Sequence, residues 1–200
     1  NCTFNSPFNQ ILPRITCGTG NQFNEAFFID VTGDLPSSIS GAFNYSFALR
    51  NIVRSGTGTL TLESNNFQSY LAVTNNNNSG SIVGKGNEVY SRVDVFNYAD
   101  SPVDLAYEGG TTTFSNQVLL VNTQNGTISI GLGGGTATLQ NSASLQIGAF
   151  GTGTVSLNNL IVNGTYNPSI TTLTGTTHLH LANCTFNSPF NQILPRITCG

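Results

Sequence analysis

His178 and His180 are the residues whose type and spacing are best suited to metal binding in this 200-residue sequence. The segment "THLHL" places both imidazoles on one face of a strand, close enough to share a zinc ion. However, the ten residues before them contain no Asp, Glu or Cys. We therefore expect two surface histidines, and the sequence predicts no metal and no other cofactor.

Lys85, the single lysine, lies in the segment "SGSIVGKGNEV", which has some likeness to a phosphate-binding loop. The segment lacks the Gly-x-x-x-x-Gly-Lys-Ser/Thr spacing, and no helical pattern follows it. A mobile loop is the preferred interpretation.

Three aspartates, Asp94, Asp100 and Asp104, are close in the segment "DVFNYADSPVD". Their spacing is not that of a calcium loop, and Pro102 indicates a turn. We therefore expect no calcium site in this segment.

Catalytic groupings are scarce in the sequence as a whole. A serine or cysteine nucleophile needs a base held beside it, and the two histidines have no evident acid partner. Paired carboxylates suitable for glycoside hydrolysis are not evident either. The sequence thus predicts a protein that is not an enzyme.

Composition limits the possible partners. Only 8% of the residues are charged and the formal net charge is −3, with six Lys and Arg in total. So few cations cannot neutralise a run of phosphates, which makes nucleic acid an unlikely ligand class. Apolar runs are shorter than the ~20 residues of a membrane span, and any secretory leader is expected to have been removed.

Asn-x-Ser/Thr acceptor triplets predict N-linked glycans on an extracellular protein. The triplets begin at Asn1, Asn44, Asn77, Asn125, Asn163 and Asn183. Turn dipeptides, a polar tract or the outward side of a strand are predicted for Asn44, Asn77, Asn125 and Asn163. Glycans at these four sites would substitute for surface charge, whereas Asn1 is a less certain acceptor.

Period-two alternation of apolar residues runs through most of the chain and predicts an all-β fold. Examples are Leu60 and Leu62, Ile128 and Ile130, and Leu179 and Leu181. Gly- and Asn-rich turns separate the strands, which favours an Ig-like β-sandwich. The competing interpretation is a β-solenoid, suggested by "GTGTL" at 56–60, "GTATL" at 135–139 and "GTGTV" at 151–155. Their spacings of 79 and 16 residues show no fixed coil length.

An identical eighteen-residue segment, "NCTFNSPFNQILPRITCG", occupies residues 1–18 and 183–200. It is apolar and extended, and Pro7 and Pro13 prevent a helix and remove two donors from any strand ladder. The sequence therefore suggests three parts: a tail at 1–18, a single β-sandwich head at 19–182, and a second copy of the tail at 183–200.

An incomplete sandwich can be completed by a strand supplied from a neighbour, and the second copy is interpreted as this incoming strand. Phe186, Phe190 and either Ile193 or Leu194 are expected to enter the core of the head, while residues 1–18 project away from it. The full set of donor-strand positions is Phe4, Phe8, Ile11, Leu12, Ile15, Phe186, Phe190, Ile193, Leu194 and Ile197.

In this organisation the chain resembles the donor-strand-complemented pilins, which include bacterial type 1 pilins and the thread filaments of thermoacidophilic archaea. The charge-poor head with its many acceptor triplets is more similar to the archaeal thread subunit. The resemblance implies head-to-tail polymerisation of identical subunits.

The four cysteines lie only in the two tail copies. A Cys2–Cys17 disulfide would fold a tail into a hairpin, which could not serve as a full-length donor strand. A disulfide between Cys17 and Cys184 is therefore predicted, with Cys2 and Cys199 left for adjoining molecules.

The function predicted from the sequence is a structural subunit of an extracellular, cell-surface filament, used for adhesion or contact between cells. Two alternatives remain open. One is a carbohydrate-binding or adhesin β-sandwich, and the other is a secreted β-solenoid hydrolase.

Overall fold

The computed structural model describes residues 1–41, 43–44, 50–140, 143–149, 151–163, 178–187 and 197–200. The described residues form a succession of short strands that wind repeatedly around one axis. Three parallel sheets result, and the fold is a β-solenoid.

The first sheet has nine strands. They are β1 (Thr3–Phe4), β4 (Gln22–Phe23), β7 (Phe43–Asn44), β10 (Asn66–Phe67), β13 (Glu88–Val89), β16 (Thr111–Phe114), β19 (Thr136–Leu139), β22 (Leu160–Val162) and β24 (Thr185–Phe186).

The second sheet has seven described strands. They are β2 (Phe8–Leu12), β5 (Phe27–Val31), β8 (Arg50–Arg54), β11 (Leu71–Asn75), β14 (Val93–Asn97), β17 (Val118–Asn122) and β20 (Leu145–Ala149).

The third sheet has nine strands. They are β3 (Thr16–Cys17), β6 (Ser37–Ser40), β9 (Thr59–Glu63), β12 (Ser81–Lys85), β15 (Val103–Asp104), β18 (Thr127–Ile130), β21 (Thr154–Asn158), β23 (His178–Ala182) and β25 (Ile197–Cys199).

Each of the first seven coils contributes one strand to each sheet, the last two contribute described strands to the first and third sheets, and successive coils stack in parallel register. The length of a coil varies: Thr3 pairs with Gln22, nineteen residues later, whereas Thr111 pairs with Thr136, twenty-five residues later. The strands keep their register because the extra residues are accommodated at the corners between sheets.

The core is a column of aliphatic side chains that point inward from all three sheets. Ile52, Leu60, Leu120 and Ile128 are fully buried members of this column. Alternation along each strand produces the column, since every second residue faces the axis. The alternating strands predicted around Leu60, Ile128 and Leu179 are confirmed as β9, β18 and β23.

Buried asparagines line the corner between the second and third sheets. Asn75, Asn97 and Asn122 close three successive strands and are aligned in register. The side-chain nitrogen of Asn75 donates to Asn97 Oδ1 at 3.2 Å, and that of Asn97 donates to Asn122 Oδ1 at 3.3 Å. This asparagine ladder satisfies polar groups that the turn of the chain leaves inside the solenoid.

The same asparagines also hold the corner backbone. Asn97 Nδ2 donates to the carbonyl of Ser101 at 3.1 Å, and Asn122 Nδ2 donates to that of Gly126 at 2.7 Å. At Gly126 a Cβ atom would overlap the carbonyl oxygen of Ala99 in the adjacent coil. Coils therefore approach closely here only because the residue lacks a side chain.

In the coil before Asn75, the position equivalent to the ladder asparagines is held by Arg54. It is 0% exposed, and its guanidinium donates to the carbonyl oxygens of Val31, Gly33 and Gly58 at 2.6–2.7 Å. Arg54 thus takes over the role of the asparagine and ties its own coil to the preceding one.

The predicted β-sandwich is wrong, although the all-β class is correct. Every strand pair among the described residues is parallel, whereas an Ig-like sandwich is built from antiparallel strands. The resemblance to donor-strand-complemented pilins is wrong for the same reason. The described part of the chain contains no sandwich groove that could receive a strand. The β-solenoid, weighed as the competing fold, is the one observed.

The segment at residues 1–18 forms the first coil of the solenoid, with β1, β2 and β3 on three sides. Pro7 and Pro13 lie at the two corners, outside the strands. Phe4, Phe8 and Ile15 pack at the edge of the chain's own core, Leu12 is half-buried and Ile11 is exposed. The expected projecting tail is therefore not observed.

The second copy forms the last coil in the same manner where it is described. Its strands β24 and β25 correspond in sequence to β1 and β3, and Phe186 packs against the core. Ile197 lies in β25 and is exposed. Phe190, Ile193 and Leu194 lie outside the described residues.

The predicted Cys17–Cys184 disulfide is not formed, and all four cysteines are free thiols. Cys17 lies in the first coil and Cys184 at the start of the last, so seven strand spacings separate their ends of the solenoid, roughly 30 Å. A disulfide needs α-carbons within ~7 Å. Burial raises the pKa of both thiols above the ordinary value, which favours their neutral form.

Candidate functional site

A groove lies on the outer face of the third sheet. It encloses about 440 Å³. Its floor is formed by the outward side chains of β9 and β12, and two loops from later coils form its wall. The lining residues are Thr59, Thr61, Ser81, Ile82, Val83, Lys85, Pro102, Asp104, Tyr107, Ser129 and Leu132.

The floor presents hydroxyl groups at the spacing of successive coils. Thr59 Oγ1 and Ser81 Oγ lie 3.0 Å apart and share a hydrogen bond, and Thr61 lies beside Thr59 on the same strand face. Thr59 and Ser81 therefore form a short row of two hydroxyls along the solenoid axis, whereas the register partner of Thr61 in the next coil is Val83.

Asp104 supports the wall of the groove and is itself 3% exposed. Its carboxylate accepts hydrogen bonds from the backbone N–H groups of Ala106, Gly131 and Gly133 at 3.0–3.1 Å. These three bonds tie the loop after β15 to the loop after β18. Asp104 therefore shapes the groove rather than offering its charge to a ligand.

Tyr107 projects from the first of these loops and is 37% exposed. Its backbone is fixed by bonds from its N–H to the Gly84 carbonyl and from the Gly135 N–H to its own carbonyl, each 2.7 Å long. A Cβ atom at Gly133 would overlap the Tyr107 ring, so the glycine makes room for it. The result is an aromatic face held in place beside a hydroxyl-bearing floor.

Lys85 lies at the end of the groove, where its ammonium is 5.8 Å from the centre of the Tyr107 ring and 3.5 Å from Glu108 Oε2. A second cavity of about 420 Å³ begins at the same lysine and is also lined by Glu63 and Glu108. Glu63 is the register partner of Lys85 in the preceding coil. Lys85 thus lies between two carboxylates contributed by flanking coils.

The segment around Lys85 was expected to be a loop, and the structure places residues 81–85 in strand β12. The apolar pair at 82 and 83 was a signal for a strand. The glycines on either side of this pair suggested a loop and obscured that signal. Tyr107 and Leu132 were not predicted as site residues, because a wall built from two distant loops leaves no local pattern in the sequence.

His178 and His180 lie outward on β23, as the strand pattern predicted. Both imidazoles contact one hydroxyl: His178 Nε2 and His180 Nδ1 lie 2.6 and 3.0 Å from Thr198 Oγ1. Among the described residues no group of three or more His, Cys, Asp or Glu side chains is arranged to hold a metal ion.

The three aspartates of the segment at 94–104 do not converge. Asp94 lies on the second sheet, Asp100 at the corner and Asp104 on the third sheet. Asp94 accepts a hydrogen bond from the Tyr70 hydroxyl at 2.8 Å and two from the Arg92 guanidinium at 2.6 and 2.8 Å. Burial and the hydrogen bond to Asp94 raise the pKa of Tyr70 to about 12.

The acceptor asparagines differ in how far their side chains are engaged. Asn125 and Asn163 are exposed, and their side-chain oxygens accept hydrogen bonds from Thr152 and Asn187; Asn1 and Asn183 are exposed in the terminal coils. Asn77 is half-buried, and its side-chain nitrogen donates to the Ser55 carbonyl at 2.9 Å. Asn44 lies in β7, and its side chain is outside the described part of the structure.

In the described ranges no helix is long and apolar enough to cross a membrane. Comparison with known proteins finds no match for the chain among family models, curated proteins or solved structures. The groove and the fold are therefore the basis for a functional assignment.

Proposed function

We propose that the chain is an extracellular carbohydrate-binding β-solenoid that holds a neutral glycan chain in the groove on its third sheet. The groove itself carries the proposal, because it joins a hydroxyl-rich floor to the exposed ring of Tyr107. Sugar units present hydroxyls around their edges and apolar C–H groups on their faces, so they need both kinds of surface.

The direction of the groove favours a polymer over a single sugar. Thr59 and Ser81 belong to consecutive coils and lie in register along the axis, and Pro102 follows them in the next coil. A ligand with at least two units can therefore contact both hydroxyls at once.

The charges around the groove favour a neutral ligand. Lys85 is paired with Glu108, and the chain carries nine carboxylates against six Lys and Arg. An acidic polymer would meet Glu63 and Glu108 at one end of the groove, and nucleic acid would meet the same repulsion.

An extracellular location agrees with this proposal. Asn125 and Asn163 are exposed, so a glycosyltransferase can reach them. Glycans there would contribute polar surface to a chain with few charges.

Hydrolysis of the bound glycan is the second candidate function, since Glu63 and Glu108 line one cavity at the end of the groove. Two carboxyl groups on either side of a glycosidic bond are the usual catalytic pair. We favour binding without catalysis, because a general acid is normally enclosed in apolar surroundings. The Glu108 side chain is 58% exposed and ion-paired.

Affinity electrophoresis against soluble neutral polysaccharides tests the proposal. We expect retardation of the 200-residue protein by at least one glucan, mannan or xylan. Tyr107→Ala should weaken this binding about tenfold, which corresponds to ~1.4 kcal/mol. Tyr90→Ala is the control, because Tyr90 is also exposed, at 46% against 37% for Tyr107, but lies outside the groove.

Binding that Tyr107→Ala leaves unchanged, or no retardation by any polysaccharide, would refute the groove as a glycan site. The hydrolase would instead be established if the wild type released new reducing ends from a polysaccharide and Glu63→Gln and Glu108→Gln each abolished this release.

A further inference from the structure

The identical terminal segments pair with their neighbours through opposite edges. In residues 1–18, β1, β2 and β3 pair with β4, β5 and β6 of the following coil. In residues 183–200, β24 and β25 pair with β22 and β23 of the preceding coil. One sequence is therefore seen, within one molecule, to pair through both of its edges.

The side chains of this segment also make equivalent contacts in both directions. Asn24 donates to Asn5 Oδ1 at 2.6 Å, and Asn187, the copy of Asn5, donates to Asn163 Oδ1 at 2.9 Å. An asparagine at this position thus continues a polar row on either side of the coil.

Phe4 and its copy Phe186 each lie beside an apolar residue of the neighbouring coil. The rings of Phe4 and Phe23 stack 4.7 Å apart with an interplanar angle of 5°, and Phe186, the copy of Phe4, is aligned with Val162. Both Phe4 and Phe186 remain only half-buried within the single chain. A further coil placed against either one would complete its burial.

We propose that copies of this chain stack end to end, with strands β24 and β25 of one molecule lying in parallel register on β1 and β3 of the next. Thr185 then lies beside Thr3, Phe186 beside Phe4 and Asn187 beside Asn5 of the second copy. A second copy is the favoured occupant because it alone supplies the phenylalanine and the asparagine at matching heights, as in the pairs already seen inside the chain.

This arrangement differs from strand exchange, since every molecule keeps all of its own strands. The two surfaces in contact are different ends of the solenoid, so the interface is head-to-tail and does not close on itself. Association should therefore rise steadily with concentration. This inference is independent of the groove and of its proposed ligand.

The backbone directions identify a selective variant. The carbonyls of Cys2 and Phe4 accept bonds from Gln22 and Asn24, so the N–H of the intervening Thr3 points to the opposite edge of β1. In the second copy, Asn187 N–H donates to the Val162 carbonyl, and the N–H of Thr185 points the same way. Proline therefore removes an edge donor at position 3 but an intrachain donor at position 185.

Sedimentation velocity over a concentration series tests the proposal, with protein made in a host that does not glycosylate. The wild-type mass should rise with concentration above the 21.1 kDa of one chain. Thr3→Pro should remain monomeric with the unfolding midpoint of the wild type, and Thr185→Pro should lower that midpoint. A wild type that is monomeric throughout, or a Thr3→Pro variant that associates normally, would overturn the inference.

Discussion

The side-chain nitrogen of Asn97 lies 3.3 Å from Oδ1 of Asn122, one coil further along the solenoid, and donates a hydrogen bond to it. Both residues are 0% exposed. Their amides can serve as donor and acceptor at once, which lets one residue type repeat along the corner; Asn75 Oδ1, at the start of the ladder, has no partner among the described residues. The stability of the fold should therefore be sensitive to this position.

Asn97→Asp is expected to destabilise the protein by about 3 kcal/mol at neutral pH. The substitution preserves shape but replaces a donor with a carboxylate oxygen that faces the Ser101 carbonyl and Asn122 Oδ1. Urea unfolding gives the free energy, and Asn116→Asp at an exposed position is the control. The loss should shrink in acid, where the introduced carboxyl can donate. Equal effects of the two substitutions would contradict a structural role for the ladder.

Arg54→Met should lower the free energy of unfolding by roughly 2–4 kcal/mol, because three buried carbonyl oxygens lose a charged donor. Arg14→Met offers a comparison, since Arg14 is exposed and makes one bond to the Pro36 carbonyl. Its substitution should cost less than about 1 kcal/mol. If both variants unfold at the same urea concentration, the hydrogen bonds of Arg54 to the preceding coil do not contribute to stability.

Gly126→Ala tests the close approach of coils at the asparagine corner. The added methyl group meets a carbonyl of the adjacent coil, and relief by backbone movement should cost ~1–3 kcal/mol. Gly18→Ala, where no atom lies within 4 Å of the added carbon, should change stability by less than about 0.5 kcal/mol. Thermal unfolding of the two variants measures the difference, and a Gly126→Ala variant as stable as wild type would show that the corner is loosely packed.

Tyr70 should make stability fall in alkaline solution. Its pKa is raised to about 12 in the folded chain, above the value near 10 of an unfolded tyrosine. Between these values the unfolded state loses a proton that the folded state retains, so stability declines from pH 10 and levels off above pH 12.

Ultraviolet titration of phenolate absorbance against Tyr70→Phe measures this ionisation. Asp94→Asn should shift it toward lower pH, because the carboxylate that accepts the Tyr70 proton is neutralised. An unchanged ionisation in Asp94→Asn would show that burial alone raises the pKa.

Strand positions could be predicted from the sequence, but their arrangement could not. Alternation at Leu60 and Leu62 or at Ile128 and Ile130 depends only on one buried face, which sandwiches and solenoids share. The similar pieces "GTGTL" and "GTGTV" do begin equivalent strands of the third sheet, β9 and β21, four coils apart. The third piece, "GTATL", belongs to the first sheet, so comparing all three gave no common period.

A better signal was present in the corner residues. Asn75, Asn97 and Asn122 follow one another at 22 and 25 residues, each at the end of an apolar strand. Their buried positions could not be anticipated from polarity, because an asparagine at a strand end normally indicates an exposed turn. The groove was hidden for a related reason, since Tyr107 and Leu132 become neighbours only when coils stack.

Stacking of coils also determines how the molecule can change over evolutionary time. Each coil touches only the coil on either side, so its contribution to stability is largely a nearest-neighbour quantity. A coil gained or lost by duplication or deletion would change the length of the molecule by one strand spacing, ~4.8 Å, and leave the remaining contacts intact. Because the corners accept coils of 18 to 27 residues, such an event need not preserve the number of residues in a coil. It must preserve the inward side chains and a corner residue, such as an asparagine or Arg54, that bonds the backbone.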